Sequence, residues 1–155
     1  MDYRSTASFG KRQEYIAIAE LLRRGFDVYM TLVDDQQIDC VIRQERNGQV
    51  RYLDIQIKAR SADAIYGGTF AALSVRNPRP GFWFIFYSEA VKTYWVIPSL
   101  ALEGLGNVNK GGASNAGKNK GKLTLKMATK NVGGWKARPK FNEYENAFEK
   151  LEWRE

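Results

Sequence analysis

Ile38-Asp39-Cys40-Val41-Ile42 and Leu53-Asp54-Ile55-Gln56-Ile57-Lys58 are the two stretches whose reading decides how this chain folds. In both, apolar residues alternate with polar ones, the pattern of a strand with one buried face. In the second stretch Leu53, Ile55 and Ile57 point one way, and Asp54, Gln56 and Lys58 point the other. Asn47-Gly48 lies between the stretches and is a strong hairpin-turn signal. A hairpin closed there brings Asp39 beside Gln56 and Lys58. Carboxylate, amide oxygen and lysine together can hold a divalent metal and activate a water for phosphodiester cleavage.

This layout resembles the PD-(D/E)XK nuclease superfamily, which includes restriction enzymes, Holliday-junction resolvases and Mrr-like enzymes. The family signature is an Asp opening one strand, then Asp/Glu-x-Lys in the next. Asp39 matches the first element and Gln56-Ile57-Lys58 the second. Gln in place of Glu departs from the commonest pattern, although Mrr-like members also carry Gln-x-Lys. The resemblance covers roughly residues 8 to 60 and fades toward the C-terminus. It implies an α/β fold with a restriction-endonuclease-like mixed β-sheet flanked by helices.

It also implies roles. Asp39 would ligate Mg²⁺ or Mn²⁺, Gln56 and the Ile57 backbone carbonyl would complete the protein ligands, and Lys58 would orient or activate the attacking water. Asp54, on the same face as Gln56, would restore the negative charge that the Gln removes; its alternative reading is a salt bridge at the strand edge. DNA is the implied substrate, cut in a restriction, repair or mobile-element setting. A homodimer is implied as well, because cutting two strands takes two sites. The alternative is a nuclease-fold module that has lost catalysis and serves as a DNA-binding or accessory protein. The neutral Gln56 keeps that alternative open, since it weakens the attraction for a hard dication.

Residues 11 to 24 predict a helix closed by Gly25. Glu14 shares a face with Ile18, Leu21 and Leu22 at spacings of four, seven and eight, and so leans toward the core. Glu20 sits with Ile16, Arg23 and Arg24 on a solvated, ion-paired face. Nuclease-fold relatives place a metal-site glutamate near the start of this helix, and Glu14 matches that place. Otherwise it is a helix-start acid favoured by the dipole.

Composition limits the chemistry. The 155 residues, 44% hydrophobic and 26% charged, predict one soluble domain with a sizeable core, spanning residues 1–155. No apolar signal region opens the chain, and the longest apolar run, Phe82 to Tyr87, is too short to span a bilayer. A cytoplasmic protein with no membrane partner is therefore expected. Cys40 is the sole cysteine, which excludes an intramolecular disulfide and a cysteine zinc cluster; it reads as a small core residue. With no histidine, serine–histidine hydrolysis, histidine-metal nucleases and histidine general bases are excluded.

The net charge of +7 is unevenly spread. Between Gly104 and Asn142 lie nine Lys or Arg residues and no acid, so the rest of the chain, with fifteen basic and seventeen acidic residues, is at −2. A basic Gly/Lys-rich loop at about 104–122 holds Lys110, Lys118, Lys120 and Lys122. Its lysines suit phosphates and its glycines allow close approach of the backbone, which points to DNA contact. The bland reading is a solvated surface loop.

The remainder reads as scaffold. Residues 27 to 32 predict a first strand with Val28, Met30 and Leu32 inward, and residues 69 to 75 another. A break follows at Asn77-Pro78-Arg79-Pro80-Gly81. Phe82 to Tyr87 predicts a strand buried on both faces, paired with residues 93 to 97. Pro98 opens a short helix through Leu102. Residues 122 to 128 predict a strand, and Asn142 caps a last helix with Tyr144, Phe148 and Leu151 as its apolar stripe.

Overall fold

In the computed structural model, residues 3–33, 36–64, 67–111 and 117–154 are described. Helix α1 (Tyr3–Arg23) is followed by β1 (Asp27–Met30), β2 (Cys40–Arg46) and β3 (Gln49–Arg60). After β4 (Thr69–Leu73) come β5 (Phe82–Ser88) and β6 (Thr93–Pro98). Strands 1, 2, 3, 5 and 6 form one five-stranded sheet in that order. It is mixed: β3 runs parallel to β5 from Asp54↔Phe82 to Arg60↔Ser88, and the other pairs are antiparallel. The β2–β3 hairpin closes through Asn47 (φ 49°) and Gly48 (φ 75°), the doubly left-handed turn that the Asn-Gly pair favours.

The sheet is covered differently on its two faces. Leu53, Ile55 and Ile57 of β3 lie with Cys40, Ile42, Ile85 and Val96 against Ala17, Ile18 and Leu21 of α1. On the other face, Phe82, Phe84 and Phe86 of β5 pack with Trp95 and Ile97 against a small antiparallel sheet. That sheet has the order β4, β8 (Leu123–Lys126), β7 (Asn107–Val108), with the short helix α2 (Leu102–Leu105) beside it. Phe86 bridges the layers, stacked on Phe84 at 5.7 Å and edge-on to Phe70 at 4.9 Å. Truncating such a ring to Ala costs about 3–5 kcal/mol. The expected mixed α/β sheet is present, and β5 is buried on both faces as its continuous apolar run implies.

Several boundaries differ from the sequence reading. Helix α1 begins eight residues earlier than residue 11. Phe9 is buried and continues the inward row through Gln13, Ala17 and Leu21, so packing carries the helix through the weak helix formers Ser5, Thr6 and Ser8. Glu14 is therefore in mid-helix, not near its start. The C-terminal end is as expected: Gly25 (φ 88°) donates to Leu22 O at 2.9 Å and Phe26 to Leu21 O at 3.1 Å.

Strand β1 stops at Met30, and Met30 and Leu32 are exposed rather than inward because this is the sheet edge. Residues 122 to 128 divide between β8 and a further hairpin, β9 (Ala128–Asn131) and β10 (Gly134–Ala137), which the sequence reading missed. The expected last helix is absent. Its place is taken by two 3-10 segments, Pro139–Tyr144 and Phe148–Leu151, separated by Asn146 at φ 50°. Asn146 exchanges hydrogen bonds with the Tyr94 backbone, donating N–H to its carbonyl at 2.7 Å and accepting its N–H on Oδ1 at 3.1 Å. Docking on the edge strand β6 thus wins over helix continuation, while Tyr144, Phe148 and Leu151 stay buried.

Candidate active site

Strand β3 outlasts its neighbour. β2 begins at Cys40, paired with Ile55, so Ile57 to Arg60 have β5 on one side and no strand on the other. Within a strand, the N–H and C=O of one residue point to the same side. Ile55 and Ile57 therefore turn both groups toward the gap that β2 leaves. Asp39 fills the first position in it, donating its own N–H to Ile55 O at 2.8 Å. Its carboxylate Oδ2 accepts the Ile57 N–H at 2.6 Å. The Ile57 carbonyl faces the same opening.

Asp39 thus bonds to the backbone on either side of Gln56, and Gln56 and Lys58 lie on one face of β3, opposite Ile55 and Ile57. Asp39 and Gln56 are both buried, at 8% and 5% exposure, and Lys58 is half-buried. Gln56 Oε1 is buried and has no hydrogen-bond partner among the described residues. Such an atom costs about 1–3 kcal/mol. The other atom of this kind, Trp95 Nε1, is a donor among aromatic rings and can bind no cation.

Glu14 reaches the site from α1. With Thr6, Phe9 and Gly10 it lines one wall of a cleft of about 480 Å³, whose other wall is Ile57 to Ser61 with Asp63 and Ala64. Lys58 and Glu14 thus border the same space. Lys11, which sequence reading passed over, forms an ion pair with Glu14 at 2.7 Å. The Glu14 hydrogen bond and charge, with a further contribution from Asp39, raise the Lys11 pKa. Asp39 and Glu14 also both act on Cys40, whose thiol is pushed up to about 12 by burial first and by these two charges next. Two carboxylates and an ammonium therefore share one electrostatic neighbourhood. Among the described residues no three His, Cys, Asp or Glu side chains converge as a metal cluster. A cation here would draw on Asp39, Glu14, the Gln56 amide oxygen, the Ile57 carbonyl and water. That set is all oxygen, which suits a hard dication, and the orphaned Gln56 Oε1 is the atom such a ligand would satisfy.

Asp54 is placed differently. Its carboxylate is held by the Arg79 guanidinium, the strand-edge salt bridge of the alternative reading. Arg79 is in turn fixed by Ser99, whose hydroxyl bonds both its N–H and its carbonyl at 3.1 Å.

Other residues shape the site without having been singled out in the sequence. The Thr31 hydroxyl donates to Ile38 O, next to Asp39, at 2.8 Å. Gln37 (φ 59°) donates from Nε2 to Ser74 O and accepts the Arg76 N–H, tying the loop before Asp39 to the one after β4. Gln37, Lys58, Arg60 and Arg76 line a second cleft of about 390 Å³, which meets the first at Lys58. Among the residues that the sequence did not single out, Lys11 alone carries a sequence signal, three residues from Glu14 on one helix face.

In the basic segment, Lys110, Lys118 and Lys120 are exposed and Lys122 is half-buried, while residues 112–116 lie outside the described residues. Asn109 N–H donates to Lys122 O, and Gly121 N–H to Asn109 O, both at 2.9 Å, so the loop is closed at its base as an extension of β7 and β8. Among the described residues no helix is long and apolar enough to cross a membrane.

No protein-family model matches this chain, and no curated protein matches it in sequence. Among solved structures, the bacterial homing endonuclease I-Ssp6803I is similar in fold, with a TM-score of 0.61 over 95% of this chain and 93% of that one, at 17% sequence identity.

Proposed function

We propose that this chain is a DNA endonuclease dependent on Mg²⁺ or Mn²⁺, a Gln-x-Lys variant of the PD-(D/E)XK pattern. The observation that carries this reading is the buried, unpartnered Gln56 Oε1 between the two backbone bonds of Asp39, with Lys58 next on the same face of β3, at the point where β2 leaves β3. The shared fold with a homing endonuclease supports it, and the acid-free cationic segment supplies a surface for a polyanion.

In this reading Asp39, Gln56 and the Ile57 carbonyl would hold the cation, with Glu14 as a further carboxylate lining the adjoining cleft. A bound dication lowers the pKa of a coordinated water and polarises a phosphoryl oxygen. Lys58 would orient an attacking water toward the scissile phosphate and offset the charge that develops there. The Asp39–Ile57 hydrogen bond keeps the carboxylate and the Ile57 carbonyl in register. Two copies would serve the two strands of a duplex. The neutral Gln56 favours a second reading, a DNA-binding module of the same fold without cleavage.

A plasmid-nicking assay separates the two. Supercoiled DNA should be cut with Mg²⁺ or Mn²⁺, spared in EDTA, and spared by Lys58→Ala. A protein that binds DNA yet nicks none of it with either metal would sink the catalytic reading.

A further inference from the structure

We propose that the β9–β10 hairpin is a major-groove probe, a ribbon that enters B-form DNA and reads it. This deepens the nuclease reading above and rests on it. Four observations point to the ribbon.

The first is that it stands apart. Strands β9 and β10 pair only with each other among the described residues, and the tip residue Val132 is fully exposed. The second is that its root is held firmly. Ala128 is fully buried, and a Cβ placed on Gly68 would lie 2.4 Å from the Ala128 carbonyl oxygen, so the two backbones are in close contact. Arg138 continues the pairing, donating N–H to Met127 O at 2.8 Å. The turn is braced by Asn131 Oδ1, which accepts the Gly133 N–H at 2.9 Å.

The third observation is charge on both faces. Cross-strand partners share a ribbon face. Lys130 is opposite Trp135 and Lys136 opposite Thr129, so the two lysines lie on opposite faces. Among the described residues neither is in an ion pair. A ribbon lying on a flat anionic surface needs its cations on one side. A ribbon with cations on both sides and an uncharged tip fits between two anionic walls. The major groove of B-DNA, about 12 Å wide and 8.5 Å deep, admits a two-stranded ribbon without deformation, whereas the minor groove is about 6 Å wide. The major groove of A-form RNA is too narrow for side chains to read. In the DNA groove Lys130 and Lys136 meet the phosphates of the two strands, and the apolar Val132 suits thymine methyl groups.

The fourth is position. The root contacts Gly68, where the chain returning from Lys58 and Arg60 enters β4, and Arg60 Nε itself donates to Thr69 O at 3.1 Å. The ribbon is thus rooted one loop away from the strand end that carries Lys58.

The test uses the whole protein in EDTA with a short mixed-sequence DNA duplex, and reads affinity against salt by anisotropy. Lys130→Ala with Lys136→Ala should lower the slope of log affinity against log salt by about 1.8, at about 0.9 per neutralised phosphate. Lys130→Arg with Lys136→Arg should keep the slope, which separates a loss of charge from a loss of fold. A duplex whose major groove is filled by glucosylated cytosines should bind wild type more weakly, and the double alanine variant no more weakly than unmodified duplex. An unchanged slope in the alanine variant, or an equal ribbon dependence on duplex RNA, overturns the ribbon and leaves the nuclease reading standing. Wild type that binds no duplex at all removes both.

Discussion

The Asp39 carboxylate accepts the backbone N–H of Ile57 at 2.6 Å. A side chain thereby takes the place of the strand that has just ended. Asp39→Asn keeps an oxygen acceptor for that N–H, and Asp39→Ala does not. The Ala variant should lose about 1–3 kcal/mol of stability, the cost of an unsatisfied buried donor. The Asn variant should melt near wild type and yet cut no DNA. Urea denaturation beside the nicking assay checks both, and an Asn variant with full cleavage would refute the ligand role.

Gln56 invites opposite substitutions. Gln56→Leu removes a buried, unpartnered oxygen and should stabilise the fold by roughly 1 kcal/mol while abolishing cleavage. Gln56→Glu adds a negative charge to the donor set and should lower the Mn²⁺ concentration needed for half-maximal binding. Thermal melts and a Mn²⁺ titration by calorimetry measure these effects.

Lys11 would compete with a cation held at Glu14. At 61% side-chain exposure, its ion pair with Glu14 contributes little to stability, so Lys11→Met should leave the melting temperature almost unchanged. The same change frees Glu14 and should tighten Mn²⁺ binding measurably. Equal Mn²⁺ affinity in wild type and Lys11→Met would show that the pair is surface decoration.

The basic loop is tested by charge. Replacing Lys118, Lys120 and Lys122 together by Ala should weaken binding to all duplexes alike. The salt slope should flatten by about 0.9 for each phosphate that is no longer neutralised. Lys58→Ala should behave oppositely, keeping affinity and losing cleavage. An unchanged slope in the triple variant would mark the loop as solvated surface.

Cys40 reports on the core. Its thiol is fully buried and its pKa raised from 9.0 to about 12, so it should resist thiol reagents at pH 8 in the native protein and react on unfolding. The raised value means that the folded state favours the protonated thiol. That contribution is fully present below pH 9 and declines between about pH 9 and 12, as the unfolded chain releases the proton first. Rapid native labelling at pH 8 would contradict the burial.

The sequence by itself determined the strand pair at the centre of the sheet and the residues along its polar face. Period-2 alternation permits one arrangement of Leu53, Ile55 and Ile57, and Asn47-Gly48 selects the hairpin that pairs them with Cys40 and Ile42. The apolar run Phe82 to Tyr87 likewise has one stable place, buried between layers. These are local rules, satisfied within a few residues. What only the tertiary structure decided depends on partners far apart in the chain. Asp54 is paired with Arg79, because a loop following β4 brings the guanidinium to that edge. Tyr144 to Leu151 carries a helical apolar stripe, yet the edge of β6 captures Asn146 and breaks it into 3-10 turns. The weak helix formers Ser5, Thr6 and Ser8 join α1 because Phe9 finds a buried site. The meeting of Glu14 with Lys58 belongs to the same class: no local rule brings a mid-helix acid to the end of β3, and packing of α1 on the sheet does.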